Sequence, residues 1–108
     1  MGHTYLCEFE QIVLLAAWRL GDEAYGMRIR QEIETRLDRP VTIGAIYVTL
    51  ERLAGKGCLR ARTGEPTAVR GGRAKRFYAI TPTGIAALED ARRQLHRMWQ
   101  GLRRPTGS

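Results

Sequence analysis

A mainly α-helical chain carrying one small β-hairpin is the fold class that this sequence predicts. Apolar residues recur every three or four positions over about residues 8–20, 25–38, 43–55 and 82–102, the spacing that lines one face of a helix. Between the third and fourth of these stretches the period changes. Cys58 to Thr63 and Lys75 to Ile80 alternate or are rich in aromatic and β-branched residues, and the glycine-rich segment between them joins two strands. With 108 residues the chain makes one small domain, a size at which roughly 60–65% of the unfolded surface is buried. A second subunit would supply further core.

The first helix covers Glu8 to Leu20, with Phe9, Ile12, Val13, Ala16 and Leu20 on one face. Leu14, Leu15 and Trp18 widen that face, so this helix is expected to be covered on two sides. Gly21 and Asp22 break the pattern. Tyr25, Ile29, Ile33 and Leu37 then recur at i, i+4 spacing to mark a second helix ending near Asp38, before Pro40. Its outer positions, Arg28, Arg30, Glu32, Glu34 and Arg36, form ordinary i, i+4 charge pairs.

Thr42 can cap the third helix, which runs from Ile43 to Gly55 with Ile43, Ile46, Leu50 and Leu53 facing inward. Its outer face carries Ala45, Val48, Thr49 and Arg52. Small side chains let a helix backbone approach base edges, where methyl groups meet thymine methyls and an arginine reaches guanine or a phosphate. A face that met only water would carry Lys and Glu. Tyr47 stands at the edge of the inward stripe, where its ring can pack while its hydroxyl reaches a phosphate.

Charge is concentrated in the hairpin that follows. Residues 60–76 hold Arg60, Arg62, Arg70, Arg73, Lys75 and Arg76 against Glu65 alone, and residues 92–104 hold five arginines and no acid. A formal net charge of +7 and an isoelectric point near 10.2 suit a polyanionic partner, because each neutralised phosphate releases condensed counterions. A reading helix beside a basic hairpin is the arrangement of a winged helix-turn-helix, expected here over residues 5–80. The DNA-binding set read from the residues is Thr42, Ala45, Tyr47, Val48, Thr49, Arg52, Arg62, Arg70, Arg73, Lys75 and Arg76. Gly71 and Gly72 do not fall in a GxxxxGK[ST] or GxGxxG pattern, so no nucleotide-phosphate loop is indicated.

The fourth helix opens with Thr81 as cap and Pro82 at its first position and extends to about Leu102, making residues 81–103 a C-terminal dimerisation helix. Ile85, Leu88, Leu95, Trp99 and Leu102 follow a heptad seam interrupted by Arg92. With no later element to cover it, the seam is expected to meet the first helix, a second subunit, or both. The expected dimer interface comprises Leu14, Ile85, Leu88, Leu95, Trp99 and Leu102. Trp18, Met98 and Trp99 lie on helices expected to meet near that interface, and they suggest a pocket for a planar aromatic effector.

Other classes are argued against by omission. His3 and His96 are the only histidines and have no nucleophile, paired carboxylate or metal spacing to serve, so an enzyme is not expected. Cys7 and Cys58 form no CxxC pair and call for neither zinc nor a disulfide framework, and no cofactor is expected. The longest apolar run, Ile12 to Trp18, is too short for a bilayer, and no secretory signal precedes it, so a cytoplasmic protein with no membrane partner is expected. The same fold without DNA, as a protein-interaction module, would also suit the uncharged face of Ala45, Val48 and Thr49.

These residues together resemble the PadR family of transcriptional regulators, in its short form with a single C-terminal helix. The resemblance covers about residues 5–100. It rests on the first helix, on Ala24, Tyr25 and Gly26 opening the second, on Gly44 to Leu53 (GAIYVTLERL), and on Gly71 to Thr81 (GGRAKRFYAIT). Where many members read Gly, Thr, Leu, Tyr, Pro in the recognition helix, this chain has Gly44, Ala45, Ile46, Tyr47 and Val48, so the tyrosine carries over and the threonine does not. The resemblance implies a homodimeric winged-helix regulator, usually a repressor, that dimerises through its terminal helices and can be released from DNA by a small molecule; two recognition helices in major grooves one helical turn apart call for an inverted-repeat operator in double-stranded DNA.

Overall fold

The computed structural model describes residues 4–64 and 75–105. Arg70 and Arg73 of the expected DNA-binding set lie outside these residues. Helices α1 (Glu8–Leu20), α2 (Gly26–Leu37) and α3 (Ile43–Gly55) precede strands β1 (Leu59–Thr63) and β2 (Arg76–Ile80), and α4 (Pro82–Trp99) follows.

Local chemistry sets most of these boundaries. The Cys7 amide donates to Glu10 Oε1 at the start of α1 (2.9 Å), supplying a partner that the helix itself cannot. Thr42 Oγ1 accepts from the Ala45 amide and Thr81 Oγ1 from the Gly84 amide, so α3 and α4 begin on hydroxyl caps. Asp38 closes α2 in the left-handed conformation (φ 50°, ψ 46°). The final helix stops at Trp99, short of the expected Leu102, because Gly101 takes φ +81° and turns the chain out of the helical path.

The core lies where α1, α2 and α3 meet under the hairpin. Val13, Leu14, Ile29, Ile46, Leu50, Leu53 and Cys58 are fully buried there, and Tyr78 of β2 is almost so. The antiparallel register pairs Leu59 with Ile80 and Ala61 with Tyr78. Tyr25 adds an isolated bridge to Phe77, and the Tyr78 amide donates to Ala24 O (2.9 Å). The entry to α2 is thereby stitched to the outer edge of the hairpin.

A second tie runs through charge. Lys56, just beyond α3, donates to Glu10 Oε1 (2.9 Å) and to Tyr5 O (2.7 Å), pinning the N-terminal segment to the end of α3. Burial alone would push the Glu10 carboxyl up. The Lys56 hydrogen bond and the Cys7 amide outweigh it and hold the group below the ordinary carboxylate value.

Helix α4 is seated at one end only. Thr81 bonds back to the turn after α3, its amide to Cys58 O and its hydroxyl to Gly57 O, and Gly84, Ala87 and Leu88 are buried. From Arg92 to Pro105 every residue is exposed. The Cα radius of gyration, 16.7 Å, exceeds the roughly 13 Å of a compact chain of this length, as a projecting helix requires.

The expected dimer interface is corrected in part. Leu14 is wholly enclosed by its own subunit, because the neighbouring Val13, Ala16 and Ala17 are buried as well and turn that side of α1 into the core. Leu88 is buried too, and Ile85 is half-buried, since they belong to the seated end of α4. Large apolar side chains left in solvent include Leu95, Met98, Trp99 and Leu102 beyond the seat and Leu15 and Trp18 on α1, with Tyr5, Met27 and Leu37 exposed elsewhere among the described residues.

Candidate nucleic-acid interface

Helix α3 buries Ile46, Thr49, Leu50 and Leu53 and leaves Gly44, Ala45, Val48, Glu51 and Arg52 exposed. Thr49 therefore corrects the sequence reading: at 3% exposure it has no free surface to present. The physical reason is phase. The buried arc is centred between Ile46 and Leu53, and Thr49 falls inside it rather than beside Ala45. Thr42 remains at the surface, but its hydroxyl already accepts from the Ala45 amide (3.2 Å) and so acts as the helix cap.

Tyr47 is half-exposed, and its ring lies against Gly26, the first residue of α2. A Cβ at Gly26 would stand about 2.7 Å from Tyr47 Cζ and Oη. The missing side chain is what allows the α3 tyrosine to lie across the α2 entry.

The loop-side end of the hairpin strands is organised by aromatic rings and cations. Phe77 and Tyr25 meet edge to face with centroids 5.6 Å apart. The Arg62 guanidinium sits 4.5 Å from the Phe77 centroid, and Lys75 Nζ sits 4.2 Å from that of Tyr25. Such pairs orient a cation while leaving its outer side free. Arg62, Lys75 and Arg76 are all exposed. Arg76 alone of the three is joined to the exposed face of α3, through Glu51 (3.7 Å), while Arg62 and Phe77, paired in the register, lie on the other face of the hairpin.

Glu51 is the member of this surface that the sequence reading passed over. Its carboxylate also accepts from the Tyr78 hydroxyl (3.4 Å), and Arg76 lies over the Tyr78 ring at 5.8 Å. Burial raises the Tyr78 hydroxyl's affinity for its proton, Arg76 opposes this and Glu51 adds to it, so Tyr78 acts as the donor. A usable signal was present: Glu51 lies i, i+4 from Tyr47 and i, i+3 from Val48, on the same outer face.

The apolar residues suggested for an effector are not brought together within one subunit. Trp18 borders a shallow depression of about 300 Å³ with Leu15 and Arg19. Met98 instead borders a cleft of about 500 Å³ between the N-terminal segment and α4, beside Tyr5, Gln11, Ala87 and Leu95. Trp99 lines neither and is 70% exposed. Among the described residues no cluster of His, Cys, Asp and Glu could hold a metal ion, and no helix is long and apolar enough to cross a membrane.

Residues 14–90 match the model of the transcriptional regulator PadR-like family. Transcriptional regulator Rv3488 of Mycobacterium tuberculosis is 38% identical over 77 residues, which are 71% of this chain and 67% of that protein. A PadR-like transcription factor from Bacteroides fragilis is similar in structure, with a TM-score of 0.69 and 24% identity over 83% of this chain and 82% of that one. Bacillus subtilis PadR, solved in complex with operator DNA, gives a TM-score of 0.66 and 19% identity over 94% of this chain and 52% of that one.

Proposed function

The chain belongs to the PadR-like family of transcriptional regulators, and from that premise we propose that it meets double-stranded DNA through the exposed face of α3 and the cations at the loop-side end of the hairpin strands. The observation that carries this reading is their adjacency. Ala45, Val48 and Arg52 offer a lean helical surface, Arg76 is joined to it through Glu51, and Arg62 and Lys75 add positive charge on the same hairpin, over Phe77 and Tyr25. Arg52 takes a base edge or a phosphate at the C-terminal end of α3, and the hairpin cations grip the backbone. Tyr47 contributes its exposed hydroxyl edge. Thr42 serves by capping α3 and thereby positioning its first free amides. Arg70 and Arg73, in the arginine-rich segment between the strands, belong to the same cationic set.

The active species is a homodimer, supported by the unpartnered apolar side chains of Leu95, Trp99 and Leu102. Two copies of α3 then enter major grooves one helical turn, roughly 34–36 Å, apart on an inverted repeat. Occupying such an operator blocks transcription, so the regulator is a repressor. A planar aromatic effector would need Trp18 from one subunit near Met98 and Trp99 from the other.

Selection of bound sequences from a random duplex pool, with sedimentation of the complex, tests the reading. An inverted repeat bound by two chains is the expected result. Absence of enrichment, with no salt-sensitive duplex binding, would overturn it.

A further inference from the structure

Arg76 of the hairpin is already engaged, in the free protein, by Glu51 of α3. That carboxylate sits in the middle of the surface proposed to face the double helix. An acid there repels phosphates unless it has something to accept. Both side chains of the pair are more than half exposed, 59% for Glu51 and 55% for Arg76, and such a pair exchanges partners at little cost. The Tyr78 hydroxyl holds the Glu51 oxygen from behind, so the carboxylate keeps its place when Arg76 leaves.

We propose that Glu51 is a specificity-determining residue: on the double helix Arg76 passes from Glu51 to a phosphate, and Glu51 accepts a hydrogen bond from the exocyclic amine of a cytosine in each half-site. The inference rests on the DNA-facing role of α3. Its base assignment follows from the inventory of groups in the major groove. Guanine presents N7 and O6, and thymine presents O4, all acceptors that repel a carboxylate. Adenine places its amine beside the N7 acceptor, an arrangement that suits an amide. Cytosine offers its N4 amine as a donor with no acceptor beside it on the same base.

The exchange also separates specific from random binding. On a random duplex most registers set no cytosine amine opposite Glu51, so the carboxylate mostly keeps Arg76 and one backbone contact is forgone. On the correct site both groups are satisfied at once.

Enrichment of a random duplex pool by the full-length wild type and by Glu51→Gln tests this, with affinity and salt dependence measured on the wild-type consensus and on a random duplex. The wild type should select cytosine at one position of each half-site. The Gln variant should lose that preference by roughly tenfold and turn toward adenine, which its amide can pair in bidentate fashion. On random duplex the variant should bind more tightly than wild type, with a log–log salt slope steeper by about one as Arg76 is released. An unchanged consensus, or equal tightening on both duplexes, would overturn the proposal. Enrichment of nothing by either protein would instead remove the DNA reading beneath it. Thermal melting of both proteins shows whether the exposed substitution leaves the fold intact.

Discussion

The outer face of α3 and the far half of α4 are both helical surfaces left in water, yet they are built from opposite materials. On α3 the exposed residues are Gly44, Ala45, Tyr47, Val48, Glu51, Arg52 and Gly55, mostly small or charged groups with a single aromatic ring that lies against Gly26. On α4 they include Leu95, Met98 and Trp99 at 56%, 76% and 70% exposure, with Leu102 just beyond at 68%. A row of large apolar groups loses free energy in water in proportion to its area, so it calls for a partner of its own kind. A lean face gains little by such contact and is suited to close approach by a polar surface. On the proposed reading, one chain thus separates self-association from nucleic-acid contact along its length.

That contrast can be tested first where α4 changes character. Leu88→Ala, in the seated half, should cost about 2–5 kcal/mol of stability in chemical denaturation because a buried side chain leaves a cavity. Leu95→Ala, two turns further on, should leave the stability of a lone subunit nearly unchanged while weakening self-association in sedimentation. Similar losses of subunit stability for both would mean that the far half is also part of the subunit's core.

On α3, Arg52→Ala should cost about 1–3 kcal/mol on a selected operator and little on random duplex. Arg62→Ala should weaken both alike and lower the magnitude of the salt slope by about one. Equal behaviour of the two variants would erase the division between reading helix and gripping hairpin.

The Glu10–Lys56 tie predicts a pH effect confined to the fold. The Glu10 carboxyl is held below its ordinary value of 4.5, so its contribution to stability is present above that pH and is lost as pH falls through the lower, folded value. Glu10→Gln should therefore melt earlier than the wild type at neutral pH, and the difference should shrink as both are acidified from about 4.5 downward. A gap that persists at low pH would assign the loss to packing rather than charge. Smallest of all, Arg36→Ala removes an exposed i, i+4 pair with Glu32 and should change stability by no more than about 0.5 kcal/mol.

Much of this architecture was legible in the residues. The spans of α1 and α3 agree with their apolar periods, and Thr42 and Thr81 cap the helices as their hydroxyls and positions suggest. The misreadings share a cause. Ala45, Val48, Thr49 and Arg52 satisfy a helical period as well as Ile46, Thr49, Leu50 and Leu53 do, and Thr49 belongs to both sets. Periodicity supplies spacing, whereas the edge of the buried arc depends on the neighbouring elements. Leu14 was displaced from the expected interface in the same way: apolar residues surround α1, and only packing distinguishes Leu14 from the exposed Leu15.

By itself, then, the sequence determined the order of the helices and most of their extents, the hairpin and the basic character of its surroundings, because hydrogen-bonding period, caps and charge are local properties. Tertiary structure alone decided which side of each helix met water. It also joined Glu51 to Arg76, laid Lys75 over Tyr25 and parted Trp18 from Met98. Those outcomes depend on where separate segments come to rest, and no neighbouring residue in the chain encodes such a distance.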